Sequence, residues 1–144
     1  MAITYENVIF DRVIDSLHSL LADEFSVPIL FDETDERSNQ SFLIRPVSDS
    51  LLELLANGQS RQYEIEINYE LRLSGNYTKN SYKQLTEIAE RMKRLMHNNS
   101  SYSPSGSYKW HEGRIQSTSF ERDEEDPTVS NVTMQFNCTS TEVL

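Results

Sequence analysis

The clearest pattern in the chain is RQYEIEINYELRL, residues 61–73. Tyr63, Ile65, Ile67, Tyr69, Leu71 and Leu73 alternate with Gln62, Glu64, Glu66, Asn68, Glu70 and Arg72. Neighbouring side chains on a strand point to opposite faces, so this alternation predicts a strand with one face in a core and one polar face. Its β-branched and aromatic residues suit a pleated surface. At ~3.3 Å per residue the strand would be roughly 43 Å long, against a usual ~17–20 Å. Part of it is therefore expected to project, or to pair outside the monomer.

Two stretches carry helical periodicity instead. Over 4–25, Ile9, Val13, Leu17, Leu20 and Leu21 recur at spacings of three and four, with Val8, Ile14 and Phe25 widening the stripe. Thr4 is the expected cap, Glu6 suits the helix start, and Pro28 stops continuation. Over 78–97, Tyr82, Leu85, Ile88, Ala89, Met92, Leu95 and Met96 form the second stripe. Ser81 with Gln84 reads as a capping box, and Asn98-Asn99 as a left-handed stop. The methionines read as core filler.

Shorter strands complete the picture. Residues 27–31 and 42–47 are expected to pair as a hairpin across the polar loop 32–41. Segment 48–60 reads as a helical turn at Leu51–Leu55 or a flap docked on the core, followed by an Asn57-Gly58 turn. Residues 98–107 are a loop by composition. The apolar phase slips along 108–120, which predicts a bulge at Gly113. Residues 120–128 form an acidic turn, and Val132, Met134, Phe136 and Cys138 alternate as a last strand. The expected fold is α+β in the order α-β-β-β-α-β-β. A single sheet of four to five mostly antiparallel strands carries two helices on one face, in one domain over 1–144. Trp110, Tyr63, Ile65, Ile67, Leu85, Ile88, Met92, Leu17 and Phe136 are the expected core.

Composition narrows the function. The formal net charge of -10 over 144 residues argues against phosphate-driven nucleic-acid binding and against an anionic membrane surface. Lys83, Arg91, Lys93 and Arg94 cluster on the second helix, where a solvated face is the plainer reading. No apolar run approaches a membrane span, and the start MAITYENVIFDRV lacks the basic-then-apolar form of a secretory signal. One cysteine, Cys138, excludes an intrachain disulfide and a cysteine zinc cage. Its place on the apolar phase marks it as a small hydrophobe. His18, His97 and His111 show no metal-ligand spacing, and Gly58, Gly75, Gly106 and Gly113 build no phosphate-cradling loop. No catalytic residue, metal ligand or cofactor is expected. The two acidic clusters, Asp32, Glu33, Asp35 and Glu36, then Glu121, Asp123, Glu124, Glu125 and Asp126, lack the spacing of a calcium loop.

This order of elements, with the closing stretch YKWHEGRIQSTSFERDEEDPTVSNVTMQFNC, resembles the tail-terminator (tail-completion) proteins of long-tailed bacteriophages. The resemblance covers nearly the whole chain and rests on pattern, since the family has no short diagnostic motif. It implies a homohexameric ring on the end of the tail tube that stops polymerisation and offers the head-joining surface. The implied partners are the chain itself, the tail tube protein and a head-completion or connector protein, with DNA only passing through the channel. The implied place is the virion's head–tail junction, after assembly in the host cytoplasm. The net acidity fits a channel through which DNA slides without sticking. Glu64, Glu66, Glu70 and the two acidic clusters are the candidates for its wall, and Arg61, Arg72 and Arg114 for subunit contacts. Rival readings are another connector or tail-tube subunit, a small intracellular α+β ligand-binding domain, and, third, an enzyme.

Overall fold

The computed structural model describes residues 2–31, 39–72, 79–126 and 128–143. A π-helical segment, Val8–Ile14, runs directly into α1, Asp15–Glu24. The strands are β1 (Ile29–Leu30), β2 (Gln40–Leu55), β3 (Gly58–Arg72), β4 (His111–Arg122) and β5 (Val129–Val143), and α2 is Lys79–Asn98. They form one five-stranded sheet in the order β1-β2-β3-β5-β4. The fold is α+β, as the periodicities predict.

β3 is the central strand, and its odd residues Tyr63, Ile65, Ile67, Tyr69 and Leu71 are buried. They share one core with Val132, Met134, Phe136 and Cys138 of β5, Leu17 and Leu21 of α1, and Leu85, Met92 and Met96 of α2. All nine residues named from the sequence as core are buried. Tyr82 is not; it is 58% exposed, one step off the buried stripe of α2.

The expectation that β3 projects is corrected. Antiparallel β2 pairs with it from Gly58 to Leu71, and antiparallel β5 pairs from Gly58 to Arg72. Its length is matched by two equally long strands of the same chain. The 48–60 reading changes for the same reason. No helical turn forms there; β2 continues to Leu55, and Ala56 and Asn57 make a two-residue turn into β3. Register shifts between Pro46 and Ser48 and between Leu51 and Glu53 bend this hairpin.

β1 pairs parallel with β2, Ile29 opposite Phe42, so the predicted hairpin of these two strands is not formed. Pro28 offers its carbonyl to the Phe42 N–H at 2.9 Å.

The helix ends also differ from expectation. Asn7, not Thr4, supplies the first cap, its side chain accepting from the Phe10 N–H at 3.3 Å. Opening of the helix to i→i+5 bonding moves the inward position by one residue, so Val8 is buried and Ile9 only half-buried. Ser81 lies inside α2 and is buried, so the capping box does not form. No positive φ occurs at Asn98 or Asn99. Asn99 instead closes α2 by donating from its backbone and its side chain to the Leu95 carbonyl, at 3.1 and 2.9 Å.

β4 carries two irregularities where one was expected, between His111 and Arg114 and between Ile115 and Ser117. Each reverses the alternation. Trp110 (even), Ile115 (odd) and Phe120 (even) therefore all face the helix side. At the first bulge Glu112 takes φ 53°, and the Gly113 N–H donates to the Ser100 carbonyl at 2.7 Å.

Candidate functional site

The even residues of β3 emerge on the helix-free face of the sheet, where Glu64, Glu66 and Glu70 form a stripe. Each carboxylate has a neighbour. Arg45 Nε lies 2.6 Å from Glu66 Oε2, the Ser48 hydroxyl donates to Glu64 Oε2 at 2.8 Å, and Arg72 Nε reaches Glu70 Oε2 at 2.9 Å. Glu70 is buried and bound to Arg72, which leaves Glu64 and Glu66 as the half-exposed charges of the stripe. Asn68 donates to Thr133 Oγ1 at 3.0 Å, and Gln135 to Asn137 Oδ1 at 3.0 Å, tying the same face into a polar network. A shallow depression over Val47, Glu64, Glu66, Ser117, Ser119 and Gln135 lies on this face. Its groups suit polar contact with a surface.

The acidic β4–β5 turn sits at one end of the sheet. Asp123 Oδ1 accepts from the backbone N–H of Glu125 at 2.9 Å and of Asp126 at 3.3 Å. Asp126 accepts from the Thr128 N–H and hydroxyl, which hold its carboxyl below the usual range. Two of the five acids therefore shape the turn, and Glu121, Glu124 and Glu125 face solvent. Asp32, Glu33, Asp35 and Glu36 lie outside the described residues.

The three arginines proposed for subunit contacts all have partners in their own chain. Arg61 Nη1 bonds Asp49 at 2.7 Å, Arg72 holds Glu70, and Arg114 donates to Gln116 and to the Glu112 carbonyl. Arg12 was not singled out by sequence pattern, yet from the π-helical segment it ties the preceding chain and β5 together. It pairs with Glu6 at 2.6 Å and donates to the Ser140 hydroxyl and the Thr141 carbonyl of β5. That pairing raises Arg12 and lowers Glu6 from their ordinary pKa ranges.

The β2–β3 hairpin carries a group of exposed leucines. Leu51, Leu52 and Leu54 are 48%, 52% and 77% exposed, and Val143 of the adjoining β5 end is 66% exposed. Pairing with Arg61 and Gln59 sets Leu51 and Leu54 on the helix side of the sheet, where the start of the π-helical segment approaches Gln59 and Arg61 but leaves these leucines exposed. The matched lengths of β2 and β3 and the turn at Asn57 were the signals that could have revealed this arm.

The histidines are on separate elements. His18 stacks on Phe31, His97 lies in the last turn of α2, and His111 lies beside Ser101 and Tyr108. Cys138 is fully buried, and burial pushes its thiol up to about 12. Among the described residues no group of three or more His, Cys, Asp or Glu is placed to hold a metal ion, and no helix is long and apolar enough to cross a membrane.

No protein-family model matches the chain, and no curated protein matches its sequence.

Proposed function

We propose that this chain is a structural virion protein that forms a ring on the end of a phage tail tube, ends tube polymerisation and provides the surface that joins the head. The observation that carries the reading is the leucine-bearing arm. A chain with mean hydropathy -0.59 leaves Leu51, Leu52, Leu54 and Val143 in water at one end of a well-packed sheet. Apolar surface of that kind is kept where another protein covers it.

Charge agrees with the reading. Glu64 and Glu66 on one face and Glu121, Glu124 and Glu125 on one turn are available to an inner wall that repels DNA phosphates. The tail tube and a head-completion protein are the partners, and the copy number of six follows from the family resemblance.

The test is removal of the gene and electron microscopy of the lysate. The reading expects headless tails of irregular length and few joined particles. Joined particles with tails of normal length, as frequent as in the wild type, would overturn it.

A further inference from the structure

The net charge of -10 is unevenly distributed. From Glu121 to Asp126 five acids stand against one Arg. From Lys83 to His97 on α2, four Lys or Arg stand against two Glu, and a groove on this helix is lined by Glu90, Arg91, Lys93, Arg94 and His97. Part of that positive charge is used internally. Arg91 lies 4.4 Å over the Phe25 ring and bonds Glu24 at 3.0 Å, and Lys93 reaches Glu90 at 2.6 Å. Lys93 and Arg94 remain exposed.

The acidic turn and the last residues of α2 lie toward different ends of β4. The end of α2 is tied to the start of β4, since Trp110 Nε1 donates to the Asn99 carbonyl and the Gly113 N–H to Ser100. The acidic turn follows the end of β4, where Arg122 pairs with Ser130. A strand of 12 residues at ~3.3 Å each separates the two ends by tens of ångströms. That is well beyond a Debye length of ~8 Å at physiological ionic strength, so the turn is screened from charges at the very end of α2.

The backbone edges of the sheet, β4 and the part of β2 beyond its two-residue pairing with β1, are guarded against strand addition. Both β2 and β4 carry two register shifts, and β2 adds Pro46 and the charges of Arg45, Asp49 and Glu53. Such features guard an edge against strand addition.

We propose that the acidic β4–β5 turn of one copy docks on the basic C-terminal half of α2 in the next copy, head to tail. This rests on the ring reading and names the contact that repeats around it. A contact between two different surface patches is the kind that closes into a ring when the rotation allows. The carboxylates that dock are those of Glu124 and Glu125, which the turn does not use for its own shape. The cations are Arg94 and Lys93, the latter exchanging its exposed, weak pair with Glu90 on its own helix for the partner's carboxylates. Exposed ion pairs are individually weak and screened by salt, so the contact is dependent on ionic strength.

The test uses two double variants of the full chain. Lys93→Glu with Arg94→Glu makes the helix face acidic, and Glu124→Lys with Glu125→Lys makes the turn basic. All four positions are exposed, and circular dichroism and a cooperative melt verify the fold of each variant. Sedimentation velocity is run over a concentration series at about 0.01 M and about 1 M salt, where the Debye length is ~30 Å and ~3 Å. Wild-type protein is expected to self-associate at the lower salt and to dissociate at the higher. Each variant alone is expected to associate roughly tenfold or more weakly, because like charges now meet. An equimolar mixture is expected to regain association, since both contacts of an alternating assembly are again complementary.

A wild type that stays monomeric at low salt overturns the contact. So does association that neither reversal weakens, which assigns it to other surfaces, or a mixture that fails to recover. Failure here with loss of joined particles in the gene knock-out leaves the tail-cap reading standing. Normal particles in the knock-out remove that reading whatever the sedimentation shows.

Discussion

Replacement of Gly113 by Ala tests the packing that joins α2 to the sheet. A Cβ at this position would lie 2.5 Å from Trp110 Nε1, 2.9 Å from Cδ1 and 3.3 Å from Phe136 Cζ. The constraint is space rather than backbone angle, because the positive φ of this bulge belongs to Glu112. Trp110 has little room to yield. It is fully buried, stacks on Tyr102 at 4.8 Å between ring centroids and meets Phe136 edge-on at 5.1 Å. Its indole N–H donates to the Asn99 carbonyl at 2.9 Å, and displacement of the ring would strand that donor. Overpacking costs ~1–3 kcal/mol and a buried donor left unpaired ~1–3 kcal/mol. Together they predict a loss of ~2–6 kcal/mol, a large share of a stability of ~5–15 kcal/mol. For a chain of this size the melting temperature should fall by ~5–15 °C. Trp110 is the sole tryptophan, so urea unfolding followed by its fluorescence reads the site directly. Gly106→Ala is the control. Gly106 has φ +76° and open space around it, so it should lose ~1 kcal/mol to strain with Trp110 emission unchanged. A loss below ~0.5 kcal/mol for Gly113→Ala, with native emission, would refute the argument.

Ile67→Ala and Leu85→Ala, both at fully buried sites, should each cost ~2–5 kcal/mol in urea unfolding; near-zero values at both would mean the two faces of the sheet are reversed. Leu54→Ser is expected to leave unfolding free energy within ~0.5 kcal/mol while reducing joined particles in a complementation assay. Unimpaired joining would remove the arm as a contact surface. Cys138 should resist a thiol reagent in the native protein, and Cys138→Ala should leave function intact. The sign of its pH effect follows from burial, which holds the folded thiol at about 12 against ~8.5 in the unfolded chain. The unfolded state loses its proton first, so this contribution is present below ~8.5 and declines as pH rises toward 12. The difference in stability between wild type and Cys138→Ala should therefore shrink by up to ~1.4 kcal/mol per pH unit above ~9. A constant difference would contradict the buried thiol.

Alternation and helical stripes were enough to identify β3, β5, α1, α2 and the nine core residues, because burial on one face imposes its period directly on the chain. The acidic turn was legible too, since its five acids fall within the six residues 121–126. Pairing was not legible. Whether β1 joins β2 parallel, and whether residues 48–55 curl into a turn or extend as half of a hairpin, depends on hydrogen bonds to strands elsewhere in the chain. Leu51, Leu52 and Leu54 resemble core residues by type, and their exposure goes with their place on β2 beyond its two-residue pairing with β1. The phase of the first helix was also a tertiary decision, since a π turn buries Val8 in place of Ile9. Arg12 became a link between Glu6 and β5 only when folding brought positions 6, 12, 140 and 141 together. Local pattern determined which side chains turn inward along each element. Long-range pairing decided which elements meet, and therefore which apolar and charged surfaces remain for a partner.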